Sequence, residues 1–281
     1  MTETLSLRAK IEQSPMGAYQ WMIVVMAAIM NLLDGFDVLA LAFTATAIRG
    51  EFGLTGIELG YLLSAGLFGM TAGSLFLAPL ADKIGRRPLL LMAVSLSAIG
   101  MLGSAFISQY QWLGFWRVIT GLGVGGILVG TNVITSEYSS RKWRSFAISV
   151  YAAGFGIGAV LGGMFAVMLQ GEYGWRSVFL AGAILTALLL VVLFIWLPES
   201  IDFLTTKQPK NAEVRLNLIA KKIGLASDWK LPAKVEKVKS KLPISQLFSK
   251  KYLHSTLLIW TAFFAIMFSF YFISSWTPAL L

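Results

Sequence analysis

The chain has 281 residues, 57% of them hydrophobic and 13% charged, with 23 Lys and Arg against 14 Asp and Glu, a net charge of +9 and a mean hydropathy of +0.73. Soluble domains carry about 25% charged residues, so this composition excludes an ordinary water-soluble enzyme or binding module and makes the bilayer the expected solvent. Cysteine is absent and His254 stands alone, which removes disulfide frameworks, thiolate sites and a zinc cluster, and no metal or cofactor is expected.

Residues 1–19 form a polar tail containing Arg8 and Lys10. Crossing roughly 30 Å of hydrocarbon takes about 20 apolar residues as a helix, because every backbone polar group must be satisfied internally. Six successive stretches meet this, near 20–48, 59–80, 88–108, 112–135, 145–169 and 175–197, and a seventh lies near 255–281. The first is too long, and its flanks lack the small-residue cleavage pattern, for a removable signal peptide. The tail and alternate loops hold 2, 3, 3 and 12 Lys and Arg, whereas the opposite side has only Arg49 and Arg176. Basic loops stay in the cytoplasm, so the expected arrangement is a multi-pass inner (plasma) membrane protein with a cytoplasmic N-terminus.

The first span carries Asp34-Gly35-Phe36-Asp37 near its middle. Two acids three residues apart share a helix face, and each costs at least about 2.5 to 3.5 kcal/mol at the bilayer centre. They serve either to lock helices by pairing with buried donors or to bind protons and gate a substrate. Gly35 permits a local break in the helix or a close helix contact.

Between the second and third spans run Asp82, Lys83, Gly85, Arg86, Arg87 and Pro88. Asp82 suits a helix N-terminus or an Arg partner, Gly85 a tight turn, and Pro88 the first turn of the next helix. So short a loop reads as a conformational latch. Topology-setting charge alone accounts for Arg86 and Arg87 but not for the Asp and Gly at those spacings.

Glycines recur at helix-packing intervals, Gly69 and Gly73 in span two, Gly121 and Gly125 in span four, and Gly154, Gly158 and Gly162 in span five. Apart from Arg176 at the very edge of the sixth, Arg117 is the only basic residue within the first six spans, and it opens the run that continues through Gly121, Gly123, Gly125 and Gly126. An unpaired guanidinium is expensive there, so its partner is a membrane acid, a backbone carbonyl or an anionic substrate; scaffold and anion ligand both stand.

The polar segment 198–254 holds 12 of the 23 Lys and Arg and 5 of the acids, which is +7 of the +9. No basic groove interleaved with aromatics accompanies it, so nucleic acid is not an expected partner. Asn211 reads as the cap of a short surface helix whose Val214, Leu218, Ile219 and Ile223 share one face and which Gly224 stops, with lysines in reach of anionic lipid headgroups.

At these residues the chain resembles the major facilitator superfamily, whose second-to-third-span loop typically reads G-x-x-x-D-R/K-x-G-R-R/K. Asp82, Lys83, Gly85, Arg86 and Arg87 fit that pattern, while Ala78 stands where the family usually has Gly. The run from Arg117 to Gly126 resembles the family's fourth-span motif, often linked to proton coupling. Span five lacks the Gly-Pro pair typical of antiporters, since Ala159 follows Gly158. A narrower resemblance is to the aromatic acid/proton symporters of benzoate, hydroxybenzoate, protocatechuate or muconate type. It rests on the acidic pair Asp34 and Asp37, on Ser136-Glu137-Tyr138, on Pro198-Glu199-Ser200 and on Ser275-Trp276-Thr277-Pro278.

The resemblance implies an all-α membrane protein of major facilitator fold, with a six-helix N-terminal bundle at 20–197, a cytoplasmic basic loop at 198–254 and the start of a C-terminal bundle at 255–281. It also implies twelve spans, so the chain is expected to be a fragment of a transporter that is monomeric at full length. Protons on Asp34 or Asp37 and an organic anion near Arg117 and Phe36 are the implied partners besides lipid, moved by alternating access. Asp82 to Arg87 would then report which way the site faces. A sugar or dicarboxylate transporter of the same superfamily and a non-transporting membrane sensor are the rival readings. An enzyme has least support, because no nucleophile, base and orienting group fall into a set.

Overall fold

The computed structural model describes residues 7–231, 248–249 and 251–280. The first six residues of the tail, residues 232–247 and Lys250 of the basic loop, and Leu281 lie outside the described residues. All the described regular structure is helical: α1 (Leu7–Gln13), α2 (Ala18–Phe52), α3 (Gly56–Ile84), α4 (Arg86–Ala105), α5 (Tyr110–Tyr138), α6 (Arg144–Tyr173), α7 (Trp175–Trp196), α8 (Ile201–Lys207), α9 (Ala212–Ile223) and α10 (Leu253–Leu280). Helices α2 to α7 and residues Leu253–Thr277 of α10 are long and apolar enough to cross a bilayer. The chain divides into two compact units, Met1–Leu231 and Pro232–Leu281.

In the first unit α2 packs chiefly on α6, α3 on α5, and α4 on both α5 and α7. Lipid tails are as apolar as leucine, so these contacts rest on close dispersion packing and interhelical hydrogen bonds more than on exclusion of water. The sequence supplies the closeness. Gly154 and Gly158 of α6 abut the backbone of Ala28 and Leu32 on α2, and Gly35 of α2 abuts Phe155 on α6. Gly69 and Gly73 of α3 meet Val118 and Leu122 of α5; in return, Gly121 and Gly125 meet Gly66 and Met70, while Gly123 lies against Ala93 and Ser97 of α4. At each of these positions a Cβ would overlap a neighbouring backbone. Helix α2 continues unbroken through Gly35, so that glycine serves the close contact and not a break.

Two apolar clusters fill the bundle. One gathers Ile23, Met30, Ile134, Tyr138 and Leu193 with α1, α8 and α9; the other gathers Phe36, Ile48, Met101, Leu113, Trp175 and Phe179. Asp34 falls between Met30 and Phe36 along α2, at the seam of the two.

Helices α1, α8 and α9 belong to the first cluster through Leu7, Ile11, Ile201, Leu204, Leu216 and Ile219. The sequence reading of α9 needs two corrections. Its buried stripe is Ala212, Leu216, Ile219 and Ala220, the 3.6-residue repeat, whereas Val214 and Leu218 are 59% and 55% exposed. Asn211 makes no side-chain cap; it sits at φ 60° and turns the chain into the helix by backbone conformation, while Gly224 at φ 83° does end it. In the second unit, Phe264, Phe268 and Phe272 of α10 stack at ring separations of 5.9 and 6.1 Å, the one-turn spacing.

Candidate functional site

Arg117 projects from α5 into the interior and is buried, as are Asp34 and Asp37 on α2. Arg117 Nη1 donates to Asp37 Oδ1 at 2.8 Å and approaches the Asp37 carbonyl oxygen at 3.4 Å. The Ser97 hydroxyl on α4 donates to Asp37 Oδ2 at 3.1 Å. Arg117 Nη2 donates to Thr120 Oγ1 at 2.9 Å and to Met101 Sδ at 3.0 Å, and its guanidinium lies 5.0 Å from the centre of the Phe179 ring. Three helices and an aromatic ring from a fourth thus compensate one charge, which is what a buried guanidinium requires.

Asp34 has a different environment. Among the described residues its Oδ2 is buried with no hydrogen-bond partner, and so is Asn31 Oδ1 one turn before it. Asn31 Nδ2 donates to the carbonyl of Tyr151 on α6 at 2.9 Å, and the Tyr151 hydroxyl accepts from Thr131 on α5 at 3.4 Å. Arg117 Nε is also buried without a partner among the described residues. Buried polar atoms are nearly always paired, and these three belong to the short set of described side-chain atoms that are not. Asn31, Thr131 and Tyr151 carried no sequence signal: single polar residues in apolar helices acquire meaning only when folding brings them beside the acids. Phe36 is packed against Gly162 of α6 and Gly182 of α7, next to Met101, so it buttresses the Arg117 cluster.

At the end of the bundle bearing α8 and α9, the loop motif forms a second constellation. Gly85 at φ 105° joins α3 to α4, and Arg86 Nη2 pairs with Asp82 at 2.6 Å. Lys83 is exposed. The N-terminus of α4 is capped from a distance: Glu199 Oε1 accepts from the backbone amides of Arg86, Arg87 and Ser200 at 2.7, 3.0 and 2.9 Å. A side chain on Gly85 would displace that carboxylate. Arg87 Nη2 donates to the carbonyl of Phe194 at 2.6 Å. Glu137 does for α8 what Glu199 does for α4, accepting from Ser200 Oγ and the amide of Ile201, both at 2.9 Å. Tyr138 donates to the Glu199 carbonyl at 2.6 Å. The Ser136-Glu137-Tyr138 and Pro198-Glu199-Ser200 runs thus meet, and helix N-termini, rich in free N–H groups, explain why both need a carboxylate.

The sequence profile of the Major Facilitator Superfamily matches residues 27–281. The chain belongs to the Major Facilitator Superfamily. Within the superfamily it is 34% identical over 271 residues to the gallate transporter of Pseudomonas putida, covering 96% of this chain and 60% of that protein. It is 33% identical to the 4-hydroxybenzoate transporter PcaK of Pseudomonas aeruginosa, covering 99% of this chain and 63% of that protein. The chain therefore spans about three fifths of the length of the curated relatives it matches. Among solved structures, the partially occluded inward-open xylose transporter XylE from E. coli superimposes with a TM-score of 0.64 at 22% identity, over 72% of this chain and 55% of that one. That likeness speaks for the major facilitator fold, with the six-helix bundle of a multi-pass membrane protein.

Proposed function

We propose that this chain is part of a secondary transporter that imports an aromatic or related organic carboxylate by proton symport through alternating access. The observation that carries the reading is the buried Asp34 carboxyl, with an oxygen that has no partner, one turn from the Asp37–Arg117 pair. In this scheme Asp34 takes and releases the proton, Asp37 holds Arg117 in place, and the free Arg117 Nε–H offers a donor toward the substrate carboxylate. Relatives named for gallate and 4-hydroxybenzoate support that substrate class. Symport also makes electrical sense, since a negative interior opposes entry of an anion and a co-transported proton offsets that cost.

The same reading sets the N-terminus and the α8/α9 end in the cytoplasm of the inner membrane, with residues 20–197 as the N-terminal half and 198–254 as the cytoplasmic loop. Asp82, Arg86, Arg87 and Glu199 then act as the cytoplasmic latch.

Uptake of labelled gallate and 4-hydroxybenzoate, with xylose as comparator, tests the proposal in cells expressing the gene that encodes this chain. Aromatic acid uptake should alkalinise a weakly buffered medium, collapse with a protonophore and vanish in Asp34→Asn. Protonophore-insensitive uptake would overturn symport, and uptake of xylose alone would overturn the substrate class.

A further inference from the structure

A cleft of about 260 Å³ opens on the first unit where the start of α2, the start of α4, the end of α7 and α9 converge, lined by Tyr19, Arg87, Trp196, Glu199, Arg215 and Lys222 among others. Its charge is unbalanced. Glu199 is the one acid of the lining, and its Oε1 is already committed to three backbone amides. Arg87 is bound to the Phe194 carbonyl. Arg215 and Lys222 form no ion pair with any described carboxylate, and Lys222 lies 5.2 Å from the Tyr19 ring. Arg215, Leu218 and Lys222 recur at the 3.6-residue period, so one face of α9 presents two cations with an exposed leucine between them.

The rim is apolar on the other side. Phe194, Ile195 and Trp196 end α7 with their side chains exposed, at the terminus of a helix long and apolar enough to cross a bilayer. An indole there is at home in the headgroup layer. A ligand that satisfies both sides carries an anionic phosphoryl group for Arg215 and Lys222 and an acyl portion for the end of α7. Inorganic phosphate would use the cations and leave the apolar rim empty, and a zwitterionic choline headgroup would bring a further cation into a cleft already positive.

We infer that this cleft binds the headgroup of an anionic phospholipid, of the phosphatidylglycerol type, with α9 as the cationic jaw and the end of α7 as the bed for the glycerol and acyl chains. Basic pockets beside membrane helices take such headgroups. Which leaflet supplies the lipid rests on the orientation proposed above; binding itself does not depend on the transport reading.

The test is native mass spectrometry of the detergent-purified chain, titrated with phosphatidylglycerol, phosphatidylcholine or inorganic phosphate, with a photoactivatable phosphatidylglycerol to map the contact. Phosphatidylglycerol should be retained over phosphatidylcholine and crosslink to α9 or the end of α7. Arg215→Gln/Lys222→Gln should weaken it by about fivefold per charge removed, on the order of twentyfold for the pair. The charge-matched control Lys207→Gln/Lys221→Gln, outside the cleft, should leave retention unchanged. Equal retention of the two lipids, an equal loss in the control, crosslinks confined to other helices, or full displacement by millimolar phosphate would each overturn the proposal, the last in favour of a free-phosphate site. Loss of transport with lipid retention intact would count against the transport reading alone.

Discussion

Arg117 on α5 holds Asp37 on α2 at 2.8 Å, and Asp34, one turn earlier on the same helix, stands outside that pair. Two acids that look equivalent along the chain therefore carry different burdens. Removing one member of a buried ion pair strands the other charge, at a cost of about 3–5 kcal/mol, whereas neutralising a carboxyl with an unpartnered oxygen strands nothing.

Asp37→Asn is accordingly expected to lower the thermal midpoint of the detergent-purified chain substantially, by the equivalent of about 3–5 kcal/mol. Asp37→Asn/Arg117→Gln should recover part of the loss. Asp34→Asn should melt within about 1 kcal/mol of the parent, the range for changes that break no named interaction, while abolishing proton-driven uptake. Equal destabilisation by the two single substitutions would refute the division of labour.

Glu199 is the remote cap of α4, so its removal should be felt at residues that are neighbours only in space. Glu199→Ala is expected to cost about 1–2 kcal/mol and to speed amide exchange at Arg86 and Arg87. Glu199→Gln, which keeps an acceptor and loses the charge, should fall between the two. Unchanged exchange at those amides would show that water caps the helix equally well.

The α2–α6 seam should tolerate no added atoms. At Gly35 and Gly158 a Cβ would meet the backbone of Phe155 and Leu32, which cannot swing away as a side chain can. Gly35→Ala and Gly158→Val are expected to cost about 3 kcal/mol, the upper end of overpacking, and to shift the chain toward aggregate in size-exclusion chromatography. Gly171→Ala, on the same helix with nothing within 4 Å of its Cβ position, should be silent.

Helix α1 is fastened by charge as well as by Leu7 and Ile11. Glu12 Oε1 accepts from Arg144 Nη2 at 2.6 Å, Arg8 pairs with Asp202, and the Arg144 guanidinium holds the Glu12 carboxyl below the ordinary carboxylate range. A lowered folded value stabilises the docked state above the unfolded carboxyl pKa of about 4.3, and that contribution fades as pH falls below it. Both side chains are about a third exposed, so the effect is limited to about 0.2–1 kcal/mol. Limited proteolysis should show α1 more readily cleaved at pH 3.5 than at pH 7, with Glu12→Gln removing most of the difference. A pH-independent rate would mean that the apolar contacts alone hold α1.

The spans could be read from the chain because an apolar run of about 20 residues has few other uses, and the packing glycines because their spacing survives without any knowledge of the partner helix. Asp34, Asp37 and Arg117 were visible as charges where charge is costly. Their pairing was not, since it depends on which faces of α2 and α5 meet. Glu137 and Glu199 show the same limit: each stands in a tripeptide that carries the family resemblance, but capping a helix that begins dozens of residues away is a property of the fold. The sequence does not single out the α9 stripe, because Val214 and Leu218 are as apolar as Leu216 and Ile219, and only α8 and α2 packed alongside decide which face is covered.

One carboxylate oxygen receiving amides from both the first turn of α4 and the segment after α7 acts as a tether between two stretches of chain more than a hundred residues apart in sequence. The helix it holds, α4, is the one whose Ser97 hydroxyl donates to Asp37 in the interior, so the cap and the buried charge cluster share a single helix.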